Sequence, residues 1–143
     1  MKKSLYIAVI GCGRLGSILA SDLSQQGHEV VVLDQDKSAF DRLSEEFSGF
    51  RIIGDAAEMN ILQAAKLDKV QVAIVVTGQD NLNIMLSQLA KNVFNIPIIL
   101  TRILDPAREE IYQNLGLTTI STTKISAAAF LQILQQQLEE KVT

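Results

Sequence analysis

At 143 residues the sequence predicts one domain of ordinary size, long enough to bury a substantial core but too short to join a nucleotide domain to a separate substrate domain. With 48% hydrophobic and 20% charged residues it has the make-up of a folded chain, which excludes a disordered segment. The net charge of -3 excludes general affinity for nucleic acid or for an anionic membrane, since neither phosphate surface is attracted by it.

A single cysteine, Cys12, permits no intrachain disulfide and no metal-binding set, which fits a reducing, cytoplasmic setting. Met1-Lys2-Lys3-Ser4 leads directly into a strand, without the long apolar core of a signal sequence. The longest apolar runs, residues 72–76 and 96–100, are too short to span a bilayer, so a soluble protein without membrane insertion is expected.

In chain order, residues 5–10 (LYIAVI) read as a short apolar strand. It enters Gly11-Cys12-Gly13-Arg14-Leu15-Gly16 and then Ser17-Ile18-Leu19-Ala20, the first turns of a helix. The glycines form a G-x-G-x-x-G between strand and helix, the setting in which the pattern carries meaning. Gly11 permits the tight turn, Gly13 leaves room for a phosphate against bare backbone, and Gly16 lets the helix lie close to the strand. The helix's unpaired N–H groups and positive dipole end then face an anion, and a nucleotide is the natural occupant. Cys12 reads either as a small residue that fits the turn or as a thiol activated by the dipole, with no base partner in view. Leu15, Ile18, Leu19 and Leu23 repeat at helical spacing, and Gly27 closes the helix. His28 falls at the sheet edge opposite a ligand crevice and is read as a turn residue.

Residues 29–34 (EVVVLD) form the next strand and end in Asp34, 18 positions after Gly16. An acid there accepts hydrogen bonds from adenosine ribose hydroxyls and repels a 2′-phosphate; the other reading is a cap or turn residue. Gln35 and Asp36 join the candidate ribose contacts, with Asp36 alternatively capping the helix expected over residues 37–47. Ala39, Phe40, Leu43 and Phe47 make that helix's buried stripe. Residues 50–53 are the third strand, ending in Gly54-Asp55-Ala56. Asp55 either reaches the adenine amino group or caps the helix through Met59, Ile61, Leu62 and Ala65, and Ala56 adjoins it in the candidate site.

Residues 70–76 read as a fourth strand buried on both faces, emptying into Thr77-Gly78-Gln79-Asp80-Asn81. The strand order should reverse here, beside the first strand, opening a crevice along which Thr77 and Gly78 lie. Asp80 reads as a helix cap and Asn81 as a cap or ligand contact, ahead of a helix carrying Leu82, Met85, Leu86, Leu89, Val93 and Phe94. Residues 96–100 form the fifth strand and deliver Thr101 and Arg102 to the ligand edge. Arg102 either meets a phosphate or carboxamide or pairs with Asp105. Pro106 opens a helix that ends near Gly116, and residues 118–121 are a sixth strand. A last helix, about 124–141, carries Ala127, Phe130, Leu131, Leu134 and Leu138 on a stripe that covers either its own sheet or a partner subunit. The whole predicts an α/β fold, a doubly wound parallel six-stranded sheet of order 3-2-1-4-5-6 with helices on both faces.

The succession GCGRLG, VVLDQD, IIGDA, VVTGQDNLN and TRILDP resembles the N-terminal nucleotide-binding module of the Trk/Ktr potassium-uptake regulators, the RCK or KTN domain, over essentially the whole chain. The GD after strand three and the TGQDNLN after strand four carry the likeness more specifically than the glycines. The resemblance implies a Rossmann fold binding NAD(H), ATP, ADP or AMP. It also implies dimers that build rings, an octameric ring among the forms open to it, beneath a membrane potassium channel or transporter whose pore nucleotide exchange gates from the cytoplasmic face. Residue by residue it implies Gly11, Gly13 and Gly16 at the phosphates, Asp34 at the ribose, Asp55 near adenine, and Thr77 and Gly78 along the cleft. Arg14 matches the family's arginine within the turn, placed for phosphate charge, its own ligand's or a neighbour's, or else solvated. Family members usually continue into a smaller C-terminal ligand-binding module, so this sequence reads as a fragment or a short member.

A small NAD-dependent oxidoreductase is the rival reading. Hydride transfer requires a proton donor or acceptor near the nicotinamide, and the ligand-edge loops hold no histidine and no Tyr-x-x-x-Lys pair. A purely structural dimerisation module is the third. The sequence is read as binding without chemistry.

Overall fold

The computed structural model describes residues 3–142. Met1 and Lys2, read above as the start of a leaderless N-terminus, lie outside the described residues. Alternation within the strands decides the layers. Strand β1 (Tyr6–Ile10) sends Ala8 and Ile10 into one core and Ile7 and Val9 into another. β2 (Glu29–Asp34) and β4 (Val72–Val75) divide their side chains the same way. Two opposed apolar faces require cover on both sides, the condition for a parallel sheet. With β3 (Phe50–Ile53), β5 (Ile98–Ile103) and β6 (Thr118–Ser121) these strands pair all-parallel in the expected order, β3-β2-β1-β4-β5-β6.

Right-handed crossovers then assign the helices to faces. α1 (Arg14–Gln25) and a 3-10 segment (Lys37–Arg42) carry the chain toward β3 on one face. α2 (Met59–Ala64), α3 (Asp80–Asn92) and α4 (Glu109–Asn114) carry it toward β6 on the other. Leu62, Leu86 and Ala90 pack on Ala73 and Val75, while Phe40, Leu43 and Phe47 pack on Val30 and Val32.

Several expected elements differ in detail. Residues 37–47 form a 3-10 segment and turns rather than a regular helix, because Leu43 turns extended (ψ 147°) and the Ser44 amide bonds the Ser21 hydroxyl of α1 at 3.0 Å. Ala39, Phe40, Leu43 and Phe47 are nonetheless all buried. The fully buried residues of α1 are Gly16, Ser17, Ala20 and Ser24; Leu15, Leu19 and Leu23 are half-buried and pack against the core beside them, and Ile18 is 58% exposed. Small residues let α1 lie against the sheet, which turns Leu15 and Leu19 sideways. In α3, Met85 is exposed, as is Val93, the residue that ends it. β5 runs through Ile103, so Thr101 is fully buried with its hydroxyl 2.7 Å from that of Ser87 rather than at the ligand edge.

The crossovers leave one region bare. Over β4, β5 and β6 on the α1 side lies an apolar groove of about 510 Å³ floored by Ile74, Leu100 and Ile120 and walled by Leu15 and Leu19. Beside it starts α5 (Thr122–Val142), 21 residues of which none is buried. Such a helix is about 31 Å long, and Phe130 on it is 78% exposed. No helix among the described residues is long and apolar enough to cross a membrane.

Candidate functional site

At the carboxyl ends of the central strands a cavity of about 370 Å³ opens where the strand order reverses. Four turns line it: Ile10, Gly11 and Gly13 after β1; Leu33, Asp34 and Gln35 after β2; Gly54, Asp55 and Ala56 after β3; and Val76 to Gln79 after β4, with Leu82 and Arg102 completing the wall.

The first turn is shaped by its glycines. Gly11 has φ +104°, and a Cβ there would sit 2.8 Å from the Val76 carbonyl oxygen. Gly16 has no room at all, since its Cβ would fall 1.8 Å from the Gly11 carbonyl oxygen. Gly13 differs in kind: a Cβ on it meets nothing within 4 Å, so its bareness serves open space in the cavity. Gly13 is the N-cap of α1 with no side-chain bond, and the first turn of α1 carries no acid. The amides of Arg14, Leu15 and Gly16 precede the first helical donor, the Ser17 amide, which bonds the Gly13 carbonyl at 2.9 Å, and are left for an anion.

Asp34 closes the opposite side. Its Oδ2 accepts from the Cys12 amide at 2.8 Å and its Oδ1 from the Asp36 amide at 2.9 Å, so the carboxylate is fixed by backbone on both sides of the turn. A carboxylate retains lone pairs beyond those two bonds, which suits a diol. Asp55 lies at the third tip, its Oδ1 accepting from the Ala57 amide at 2.9 Å.

The β4 turn is braced from below by Asn83, which is fully buried. Its Oδ1 accepts from the Thr77 amide and hydroxyl, and its Nδ2 donates to the carbonyls of Thr77 and Arg102, each at 3.1 Å. Arg102 donates from Nη2 to the carbonyls of Val76 (2.8 Å) and Thr77 (2.9 Å), while its Nε is buried without a partner. Burial pushes the guanidinium's pKa down, opposed by the charge of Asp80.

Of the residues singled out from the sequence, Gly11, Gly13, Asp34, Gln35, Asp55, Ala56, Thr77, Gly78 and Arg102 meet at this cavity. Cys12, Arg14, Leu15, Gly16 and Asp36 stand off its lining. The Cys12 thiol is buried beneath the turn, 3.5 Å from the Ala39 carbonyl, and desolvation and then Asp34 push its pKa up. Arg14 is exposed at the start of α1, and Leu15 lines the apolar groove instead. Asp36 caps the 3-10 segment, its Oδ1 taking the amide and hydroxyl of Ser38, which hold its carboxyl below the usual range.

One expectation is corrected and one alternative is decided. Asp80 does not cap its own helix; its carboxylate takes the amides of Leu104 (2.6 Å) and Asp105 (2.9 Å), pinning the loop after β5. Asp105 caps the Pro106 turn and pairs with Arg108 rather than Arg102. Asn81 accepts from Arg108 at 2.8 Å. His28 stands at the far sheet edge as expected, its Nδ1 accepting from the Leu5 amide at 3.1 Å. Sequence reasoning missed Asn83, whose only signal was its place at the end of TGQDNLN, and the apolar walls Leu33 and Leu82, which no pattern separates from core.

Residues 7–123 match the family model of the TrkA-N domain. The Trk system potassium uptake protein TrkA of Streptomyces coelicolor is 38% identical over 130 residues, covering 91% of this chain and 58% of that protein. The chain thus spans little more than half of a relative it matches. Among solved structures, the GsuK channel bound to NAD superposes with a TM-score of 0.81 at 21% identity, covering 95% of this chain and 24% of that one. The Shewanella denitrificans Kef CTD in its AMP-bound form does so at 0.78 and 23%, covering 92% and 81%. At these identities the superpositions establish the fold.

Proposed function

Because the chain belongs to the TrkA-N domain family, we propose that it is a regulatory nucleotide-binding module, not an enzyme, whose occupancy by an adenine nucleotide sets the state of a membrane potassium channel or transporter. NAD(H) is the first candidate ligand, with ATP, ADP and AMP as alternatives using the same adenosine contacts. The observation that carries this reading is the Asp34 carboxylate, fixed by two backbone amides across a cavity from the unpaired amides of α1. In this reading Gly11, Gly13 and Gly16 and the α1 amides hold the diphosphate, with Cys12 and Leu15 contributing backbone and Arg14 reaching phosphate charge from outside. Asp34, Gln35 and Asp36 surround the ribose, Asp55 and Ala56 the adenine, and Thr77, Gly78 and Arg102 the remaining wall. Among the described residues the cavity lining holds no histidine, tyrosine or lysine, which favours binding over hydride chemistry by such a proton partner. The chain would act in the cytoplasm, held at the inner face of the membrane by its partner.

The same reading makes the module a dimer. The bare groove and the bare helix lie side by side, and α5 reaches its own groove only through Thr122, Ile125 and Ser126 in its first turns. The remaining apolar side chains of α5 fit the groove of a second copy, and a two-fold exchange covers both at once. Such dimers are the units from which a ring would be built.

Calorimetric titration of the purified protein with NAD, NADH, ATP and ADP, paired with thermal melting, tests the proposal. A ligand at 100 times its Kd should add about 2.7 kcal/mol of stability. Asp34→Ala should weaken binding by about tenfold or more, the worth of hydrogen bonds to a charged acceptor. If none of the four shifts the melt, the structural-module reading replaces this one.

A further inference from the structure

We propose that Arg102 links the two cavities, so that a nucleotide in the crevice and a partner's helix in the groove each strengthen the binding of the other. The inference rests on the functional reading above and specifies how that site would be regulated. Arg102 and Val76 line both the nucleotide crevice and the apolar groove, placing one guanidinium in the wall between them.

The register explains how. Thr101 of β5 pairs with Val75 of β4, so Arg102 stands beside Val76, just past the end of β4, and bonds the first two carbonyls after that strand, those of Val76 and Thr77. Those carbonyls are dipoles, not countercharges. Among the described residues no carboxylate forms an ion pair with Arg102, and the nearest acid acting on it, Asp80, has both oxygens engaged by the Leu104 and Asp105 amides. The buried Nε finds no acceptor. Arginine stays charged under these conditions, so the wall holds a half-buried cation that borders both cavities.

Hydration from either side therefore sets the worth of a charge on the other. An apolar helix entering the groove displaces water from one flank of the guanidinium and lowers the local dielectric. A phosphate in the crevice then attracts the cation more strongly, as Coulomb energy scales inversely with that dielectric. Linkage makes the effect mutual: a nucleotide that binds the dimer more tightly tightens the dimer by the same factor. The effect needs ligand charge, which distinguishes it from a purely mechanical relay through the Asn83-braced turn.

Sedimentation equilibrium of the intact chain, with and without saturating NAD, ADP or uncharged adenosine, reads the linkage directly. The expected result is a dimer Kd lowered at least fivefold by NAD and ADP and by less than twofold by adenosine. Arg102→Gln removes a residue of the crevice wall and should weaken nucleotide binding, so it is read at ligand concentrations that saturate the variant itself. There all three ligands should fall within twofold while dimerisation persists, and Arg102→Lys, which keeps the charge, should retain part of the effect. A wild-type dimer Kd unmoved by bound nucleotide overturns the inference without relying on any variant. So does an Arg102→Gln protein that keeps the full factor, or adenosine matching ADP. A protein that binds no nucleotide, or never dimerises, overturns the functional reading and this inference with it, a pattern distinct from intact binding without linkage.

Discussion

Gly13 and Gly16, three positions apart in one motif, are glycines for opposite reasons, and the difference is measurable. Gly16→Ala places a methyl 1.8 Å from the Gly11 carbonyl, so α1 must shift off the sheet. Overpacking of this kind costs about 1–3 kcal/mol, to be read as a lower urea midpoint. Gly13→Ala meets no atom within 4 Å and has an ordinary φ of -77°. It should cost no more than about 1 kcal/mol of stability, the difference between glycine and alanine at an N-cap, while nucleotide affinity measured by calorimetry falls sharply. Cys12 makes the complementary case. Its thiol is buried, and desolvation raises its pKa, so less thiolate exists near neutral pH than on a free cysteine. Alkylation by iodoacetamide at pH 7.5 should be negligible in the native protein and prompt in denaturant; rapid native labelling would mean that the glycine turn opens.

At the scale of elements, what the sequence disclosed was what local physics determines. Strand order and the glycine turn were legible because two-sided apolar strands, crossover handedness and positive φ at Gly11 are constraints carried by neighbouring residues. The stripe of α1 was legible from its helical spacing, and Leu15, Leu19 and Leu23 pack against the core; that Ile18 stands exposed was not, because spacing does not reveal how far a stripe is covered. Gly16, Ala20 and Ser24 form the tighter seam, and Leu15 and Leu19 also border the groove. The 37–47 segment was misread because its competitor for helical bonds, the Ser21 hydroxyl, lies on another element. Asn83 escaped notice for a related reason: a buried asparagine in a helix is identified by what it bonds, and its partners lie on two strand ends. Asn83→Leu should remove the side-chain partner of the Thr77 amide and of the Arg102 carbonyl, while the Thr77 carbonyl keeps its bond from Arg102. With about 1–3 kcal/mol for each buried group left unsatisfied, a loss of about 2 kcal/mol or more in urea unfolding is expected. A loss below 1 kcal/mol would show that the β4 turn does not depend on this brace.

At the scale of the molecule, an all-parallel sheet is open over half of one face, and a 21-residue helix buries nothing. Either deficit alone is costly; together they are complementary. Helicity in water depends on length and temperature, and most helical stability in proteins comes from packing an apolar face. The helicity of α5 should therefore depend on association. Diluting the protein should lower the helical signal in far-UV circular dichroism in step with the dimer fraction seen by sedimentation velocity. Phe130→Asp combined with Leu134→Asp, both on exposed faces and far from the nucleotide crevice, should give a monomer at all concentrations with the reduced helical signal of the diluted wild type. The sheet's own thermal transition should remain, because the two side chains touch neither core. A wild-type protein that stays monomeric at high concentration with α5 fully helical would mean that the helix needs no partner, and the exchanged dimer would fall.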